Sequence, residues 1–264
     1  MRNTIKQWIH IVMTTMILQM KQSFARPMFR FCLLVNPVVN TIFLYEMFLN
    51  STEANFIQYV ILGAGLMGIW GCICFSSAGD INRERYSGTL SIIYVAPGGF
   101  GTIIFGKVFG NTLISLLTFV IAYVTALCLS GQPIEFHHAA SFLLALVLAI
   151  FCFMVVSLCI AYCLMLSRKT ELYMNLIEIP FILVCGFVFP VEMLPGWLQK
   201  LSVMLPPTWA VRLLRMSLVE SNKLVVVQYY LILMIELAVF IGITVILYRW
   251  MDKRVRIKAT LEVS

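Results

Sequence analysis

Charge is scarce in this 264-residue sequence: only 12% of its residues are Asp, Glu, Lys or Arg, against roughly 25% in a soluble domain. A chain of this size cannot hide that shortfall in a water-facing fold, and 61% hydrophobic content points to a lipid-facing surface. The alternating ten-residue segments of a membrane β-barrel are also missing, so helices remain. Histidine is rare, with three in all. The adjacent pair His137-His138 is poorly disposed to grip one ion. The eight cysteines (32, 72, 74, 128, 152, 159, 163 and 185) lie in or beside apolar runs with no histidine near, which argues for small hydrophobes rather than a metal site or disulfide framework. No catalytic triad or metal cluster is visible, and no A-x-A-like cleavage site follows the basic N-terminus.

What is present is a series of apolar runs, each near the roughly 20 residues that cross a bilayer. They predict an all-α polytopic membrane protein with six spans, at about Phe29–Leu49, Phe56–Ala78, Val108–Leu129, Ala139–Leu166, Leu176–Phe189 and Leu224–Trp250. The fifth is short and stops at Pro190. Fifteen of the 19 Lys and Arg fall on the side that holds both termini. The positive-inside rule therefore places the termini in the cytoplasm of a cell-membrane protein. Topology accounts for the net charge of +7; anionic lipids are expected partners, and no nucleic acid is called for. Residues 1–27 carry an amphipathic pattern (Ile5, Ile9, Val12, Met13, Met16, Ile17, Met20), read as an interface helix that anchors to the membrane or docks a cytoplasmic partner.

Gly101 to Lys107 fits G-x-x-x-x-G-K, but Val108 stands where a phosphate loop needs Ser or Thr, and no parallel sheet is available to present it. The bland reading is a glycine-rich lead-in to the third span with a snorkelling Lys107. In the second span, Ala64, Gly68 and Cys72, flanked by further glycines, permit close helix approach, either to another subunit or within the chain. Three acids, Glu46, Glu178 and Glu236, interrupt apolar runs, where such residues line a path, pair helices or snorkel. Asn50-Ser51-Thr52 fits a glycosylation sequon.

Two blocks resemble one family. The run Arg83-Glu84-Arg85-Tyr86-Ser87-Gly88-Thr89-Leu90, then Ala96-Pro97 and Gly106-Lys107, is similar to the first cytoplasmic loop of type-2 ABC exporter permeases. The run Phe189 to Leu198, then Leu205-Pro206-Pro207 and Arg212 to Arg215, resembles that family's region after the fifth span, with Pro206-Pro207 replacing its usual Asn-Pro. The resemblance implies one permease domain over 1–264. Within it, 79–107 is a cytoplasmic coupling loop with a coupling helix at about Asn82–Tyr94. Residues 190–223 form an extracytoplasmic re-entrant region, its helices broken by prolines, and 250–264 a cytoplasmic tail.

It further implies contact with separate ATPase subunits through Arg83, Glu84, Arg85, Gly88, Thr89 and Leu90, with Glu84 as the preferred anchor. A translocation path would use Glu46, Glu178, Phe181 and Phe189. The re-entrant region would be marked by Pro190, Pro195, Trp197, Pro206, Pro207 and Arg212. The chain would be no enzyme and bind no cofactor, ATP and Mg residing on the partner, and a second permease, identical or paralogous, would complete the exporter. An amphipathic drug, antibiotic or lipid-like cargo is the first expectation and polysaccharide or glycolipid export the in-family rival. The rival outside the family is an ion-coupled secondary transporter, for which inverted repeats are lacking.

Overall fold

The computed structural model describes residues 2–49, 56–96, 98–131, 139–165, 167, 170–218 and 223–258. Among them there is helix and no strand. In chain order the helices are α1 (Arg2–Ala25), α2 (Pro27–Arg30), α3 (Asn36–Phe48), α4 (Phe56–Tyr86), α5 (Leu90–Val95), α6 (Phe100–Ser130), α7 (Ala139–Leu164), α8 (Thr170–Val184), α9 (Gly196–Val203), α10 (Pro206–Met216) and α11 (Lys223–Lys258). A π-helical turn, Phe31–Val35, joins α2 to α3. Pro37 stands two residues beyond its end; a proline has no N–H to give the preceding turn and crowds it, and a π turn absorbs that defect.

Among the described residues, five stretches are long and apolar enough to cross a bilayer: Pro27–Phe48, Phe56–Tyr86, Phe100–Ser130, Ala140–Leu164 and Leu224–Val255. The fifth apolar run differs from expectation. It forms α8, whose apolar part, Leu172–Val184, is below spanning length, and Phe189 lies beyond the helix end rather than within it. The boundaries of α6 also moved. It starts at Phe100, well before the expected Val108, because Gly99 rather than the glycine-lysine pair terminates the preceding turn.

α4 is the axis of the molecule. It packs on α3, α6, α7 and α8, and 93% of its apolar window is buried within the chain, against 17% for α11. Glycines make this possible: a Cβ at Gly65 would lie 2.3 Å from the Phe119 ring, and one at Gly68 2.8 Å from Thr118. The small-residue stripe of α4 therefore serves packing within the chain. In the middle of α4, Trp70 stacks on Phe181 of α8, centroids 4.0 Å apart, with Phe153 at its edge and Phe187 beyond.

α1 lies along α6. Gly106 and Gly110, four residues apart, form the groove: a Cβ at Gly106 would fall on Thr15, and one at Gly110 would meet the Met16 carbonyl at 2.7 Å. The buried seam of α1 is Val12, Met16, Gln19 and Ser23. Most of the expected apolar stripe faces the other way, with Ile5, Ile9, Met13 and Ile17 exposed. That outward stripe suits lipid, whereas the seam toward the protein is the more polar one.

Candidate functional site

The motif-bearing corner lies where α4 ends. Asp80 is buried there and collects donors from three elements. Arg26 Nη1 reaches its Oδ1 at 2.6 Å and Arg83 Nη1 at 2.9 Å; Asn111 Nδ2 reaches Oδ2 at 3.1 Å, and Gln19 Nε2 donates to the same oxygen. Ser23 Oγ closes the set by donating to Asn111 Oδ1 at 2.6 Å. One carboxylate thus pins the interface helix, α4 and α6 together. A buried carboxylate is tolerable with this many donors and costly without them.

One turn on, α4 reaches the expected coupling residues. The predicted helix over Asn82–Tyr94 is instead two pieces. Residues through Tyr86 continue α4, and a tight turn at Ser87-Gly88 leads through Thr89 to α5, Leu90–Val95. Gly88 makes the break, with φ +67°, a region side-chain-bearing residues resist. Its N–H bonds the Arg85 carbonyl at 3.1 Å, and the Thr89 N–H bonds the Glu84 carbonyl at 3.0 Å, terminating α4.

Glu84 does not stand free at the surface, as an anchor for another protein would. Its carboxylate accepts from Lys107 Nζ and from Thr89 Oγ1 inside the chain. Lys107 therefore does not snorkel. It is buried, 8% exposed, and its charge meets Glu84. The residues that mimic a phosphate loop, Gly101 to Lys107, are the opening turns of α6, with their N–H groups directed along the helix rather than into a cradle. Arg85 is buried and donates to the Ser167 carbonyl at 2.7 Å and to the Met165 carbonyl, tying α4 to the end of α7. Tyr94 of α5 donates through its hydroxyl to Asp252 of α11. Leu90 is buried beneath the turn, and Tyr86, Ile92 and Val95 remain exposed, Ile92 at 70% and Val95 at 80%.

Of the path residues, Glu178 borders a cavity of about 240 Å³ whose walls include Arg26, Phe29, Cys74 and Met174. Its Oε1 lies where a Cβ on Gly71 would come within 3.1 Å. Phe181, a turn away, is buried on Trp70 in the chain's own core. Phe189 is half-buried beyond α8, and Glu46 is exposed near the end of α3, so the four do not meet in one site. Glu236 accepts from Trp209 Nε1 at 3.0 Å and so pairs α11 with α10.

Near the start of α4 lies the second motif block. Its prolines begin helices rather than break them. Pro195 is the N-cap of α9, and Pro206 and Pro207 open α10, where a missing N–H costs nothing. Pro190 precedes a 3-10 turn at Val191–Met193. α10 is buried against α7 and α11, whereas Trp197 on α9 is 70% exposed. Arg212 Nη2 pairs with Glu192 at 2.9 Å. Arg215 Nη2 donates to the Gly186 and Phe187 carbonyls at 2.7 and 3.3 Å. His137, His138, the sequon at Asn50 and Pro97 lie outside the described residues.

Sequence reasoning missed the Asp80 cluster, the partner of Glu84 and the caps made by Arg85 and Arg215. A signal existed for the first: Gln19 and Ser23 stand at i, i+4 in a largely apolar helix. These features together define a multi-pass helical membrane domain with no group of three His, Cys, Asp or Glu side chains among its described residues placed to hold a metal. The model of the ABC-2 type transporter family matches residues 9–219, and the chain belongs to that family. It is accordingly an ABC-type permease, a class that normally pairs with ABC ATPase subunits. No curated protein matches the chain.

Proposed function

We propose that this chain is the permease subunit of an ATP-driven exporter, with a separate ATPase docking at the corner formed by Gly88, Thr89 and α5. The observation that carries the reading is the pairing of an exposed apolar rim, Tyr86, Ile92 and Val95, with a rigid mount beneath it. The Glu84–Lys107 pair, the Arg85 cap and the Tyr94–Asp252 bond tie that mount to α6, α7 and α11. A short helix with an apolar face suits a groove on a partner. A stroke applied to α5 would then reach three long helices at once, and through Asp80 the interface helix as well.

In this reading the ATPase binds ATP and Mg, both termini are cytoplasmic, and α9 and α10 form a re-entrant hairpin at the opposite membrane face. With α8 as the sixth, short span, the cavity beside Glu178 opens on the cytoplasmic side and admits an amphipathic cargo, a drug, antibiotic or lipid. A second permease, identical or paralogous, faces it across the path.

Replacing both Ile92 and Val95 with Asp tests the reading. These side chains are exposed, so the purified variant should melt with wild type. Co-purification of the ATPase should fall by at least ~10-fold, about 1.4 kcal/mol of binding, together with export. Wild-type retention of the ATPase would overturn it.

A further inference from the structure

The pocket at the Tyr59 end of α4 has a charge balance that the fold does not explain. It measures about 240 Å³ and lies between Tyr59, Cys185, Glu192, Thr208, Arg215 and Tyr229, with Arg212 at its side. Arg215 rests on two carbonyls, and its guanidinium sits 5.3 Å from the Tyr59 ring centre. Among the described residues it makes no ion pair, and its Nε is buried without a partner. Arg212 lies 5.0 Å from the Trp209 ring, and its Nε is likewise buried and unpartnered. Among the described residues Glu192 is the pocket's one acid; its side chain is 68% exposed and already engaged by Arg212. Two guanidiniums against one outward carboxylate leave a net positive charge in a largely desolvated place, which is costly unless an anion completes it.

We propose that this pocket binds an acidic oxyanion, a phosphate or carboxylate, carried on an amphiphile. A guanidinium with free N–H groups matches that geometry, offering parallel donors to paired oxygens. The rings of Tyr59 and Tyr229 give the adjoining carbons an apolar wall. A cationic ligand would meet two like charges and a carboxylate already satisfied, and a neutral apolar one would leave the donors empty. The inference deepens the exporter reading, since it names acidic amphiphiles as a substrate class. The site itself stands whether or not an ATPase docks at α5.

The test uses the purified chain without ATPase in neutral maltoside micelles, so it is blind to that docking. Dihexanoyl-phosphatidylglycerol, dihexanoyl-phosphatidylcholine and inorganic phosphate are titrated by calorimetry. Phosphatidylglycerol is expected to bind 1:1, with phosphatidylcholine at least ~10-fold weaker, about 1.4 kcal/mol. Inorganic phosphate should be weaker as well; equal affinity would show that the oxyanion alone is the ligand and overturn the amphiphile part. Arg215→Gln should lose about tenfold in affinity, and Arg254→Gln, whose side chain lies on Trp250 away from the pocket, should lose nothing. If Arg215→Gln does not purify, Arg212→Gln at the rim carries the comparison, with an expected loss of roughly threefold. Phosphatidylcholine binding as well as phosphatidylglycerol would overturn the proposal, as would undiminished binding in both arginine variants.

Discussion

The two ends of α4 handle charge in opposite ways. At the Asp80 end, Arg26, Arg83 and Lys107 all find carboxylates, and Arg85 finds the carbonyls that end α7. At the Tyr59 end, Arg215 has carbonyls and a ring face but makes no ion pair among the described residues. About 30 Å separates them, taking 1.5 Å per helical residue from Tyr59 to Asp80. The pairing at one end is that of a brace, because its carboxylates meet cations within the chain. The surplus at the other is that of a site awaiting a ligand. Position in the family's motifs does not separate these roles, since both ends carry matching blocks; the pairing of charges does.

The brace is undone most completely at Asp80. Asp80→Ala leaves Arg26 and Arg83 facing each other and strips Gln19 and Asn111 of an acceptor. Removing one member of a buried charged cluster costs about 3–5 kcal/mol, so the variant should express poorly and melt far below wild type in detergent. A melting temperature within a few degrees of wild type would show that the cluster braces nothing. Next in size is Glu84→Lys, which sets two ammonium groups together at an interface where truncating a pair costs about 2–5 kcal/mol. It should lower both stability and ATPase retention. The exchange Glu84→Lys with Lys107→Glu should recover most of each, because an internal pair survives reversal. An anchor for the ATPase would not, so failure of the double variant with normal folding would return Glu84 to the role of a docking residue.

Gly88→Val sharpens the same end by a smaller amount. There is open space around its Cα, so no clash is expected. The cost is backbone strain at φ +67°, about 1–2 kcal/mol, and a displaced α5. Export per ATP hydrolysed should fall more than the melting temperature does; equal, proportionate losses would mean that the turn only stabilises.

The helical class, the position of each long span and the two motif blocks were legible because hydrophobic runs and glycine-proline punctuation are local signals. Side-chain pairing was not, and Lys107 shows why. Beside an apolar run it reads as a snorkelling cation, and only the angle at which α6 crosses the end of α4 puts Glu84, 23 residues earlier, within reach of it. The prolines failed for a related reason. Pro206 and Pro207 are strong punctuation, but the residues after them decide whether a helix stops or starts there, and α10 is buried enough to make starting worthwhile. Asp80, Gln19 and Asn111 belong to three segments, and the register of α1 on α6 that joins them is set by Gly106 and Gly110, whose effect is invisible until both helices are placed.

The smallest change separates tethering from folding. Tyr94→Phe removes the hydroxyl that α5 gives to Asp252 and leaves the ring, which packs 5.5 Å from that of Phe100. A single hydrogen bond to a charged group at this half-exposed site contributes about 1–2 kcal/mol, little against the stability of the whole membrane domain. Insertion and ATPase binding should stay near wild type, since the exposed rim of Ile92 and Val95 is untouched. The connection from α5 to α11 is what weakens. A stroke delivered at α5 would still reach α6 and α7 through Glu84 and Arg85 but would lose this bond to α11, the least buried of the five long spans. Export per ATP should therefore drop while ATP hydrolysis continues. Wild-type export per ATP in Tyr94→Phe would mean that the tether is not the route.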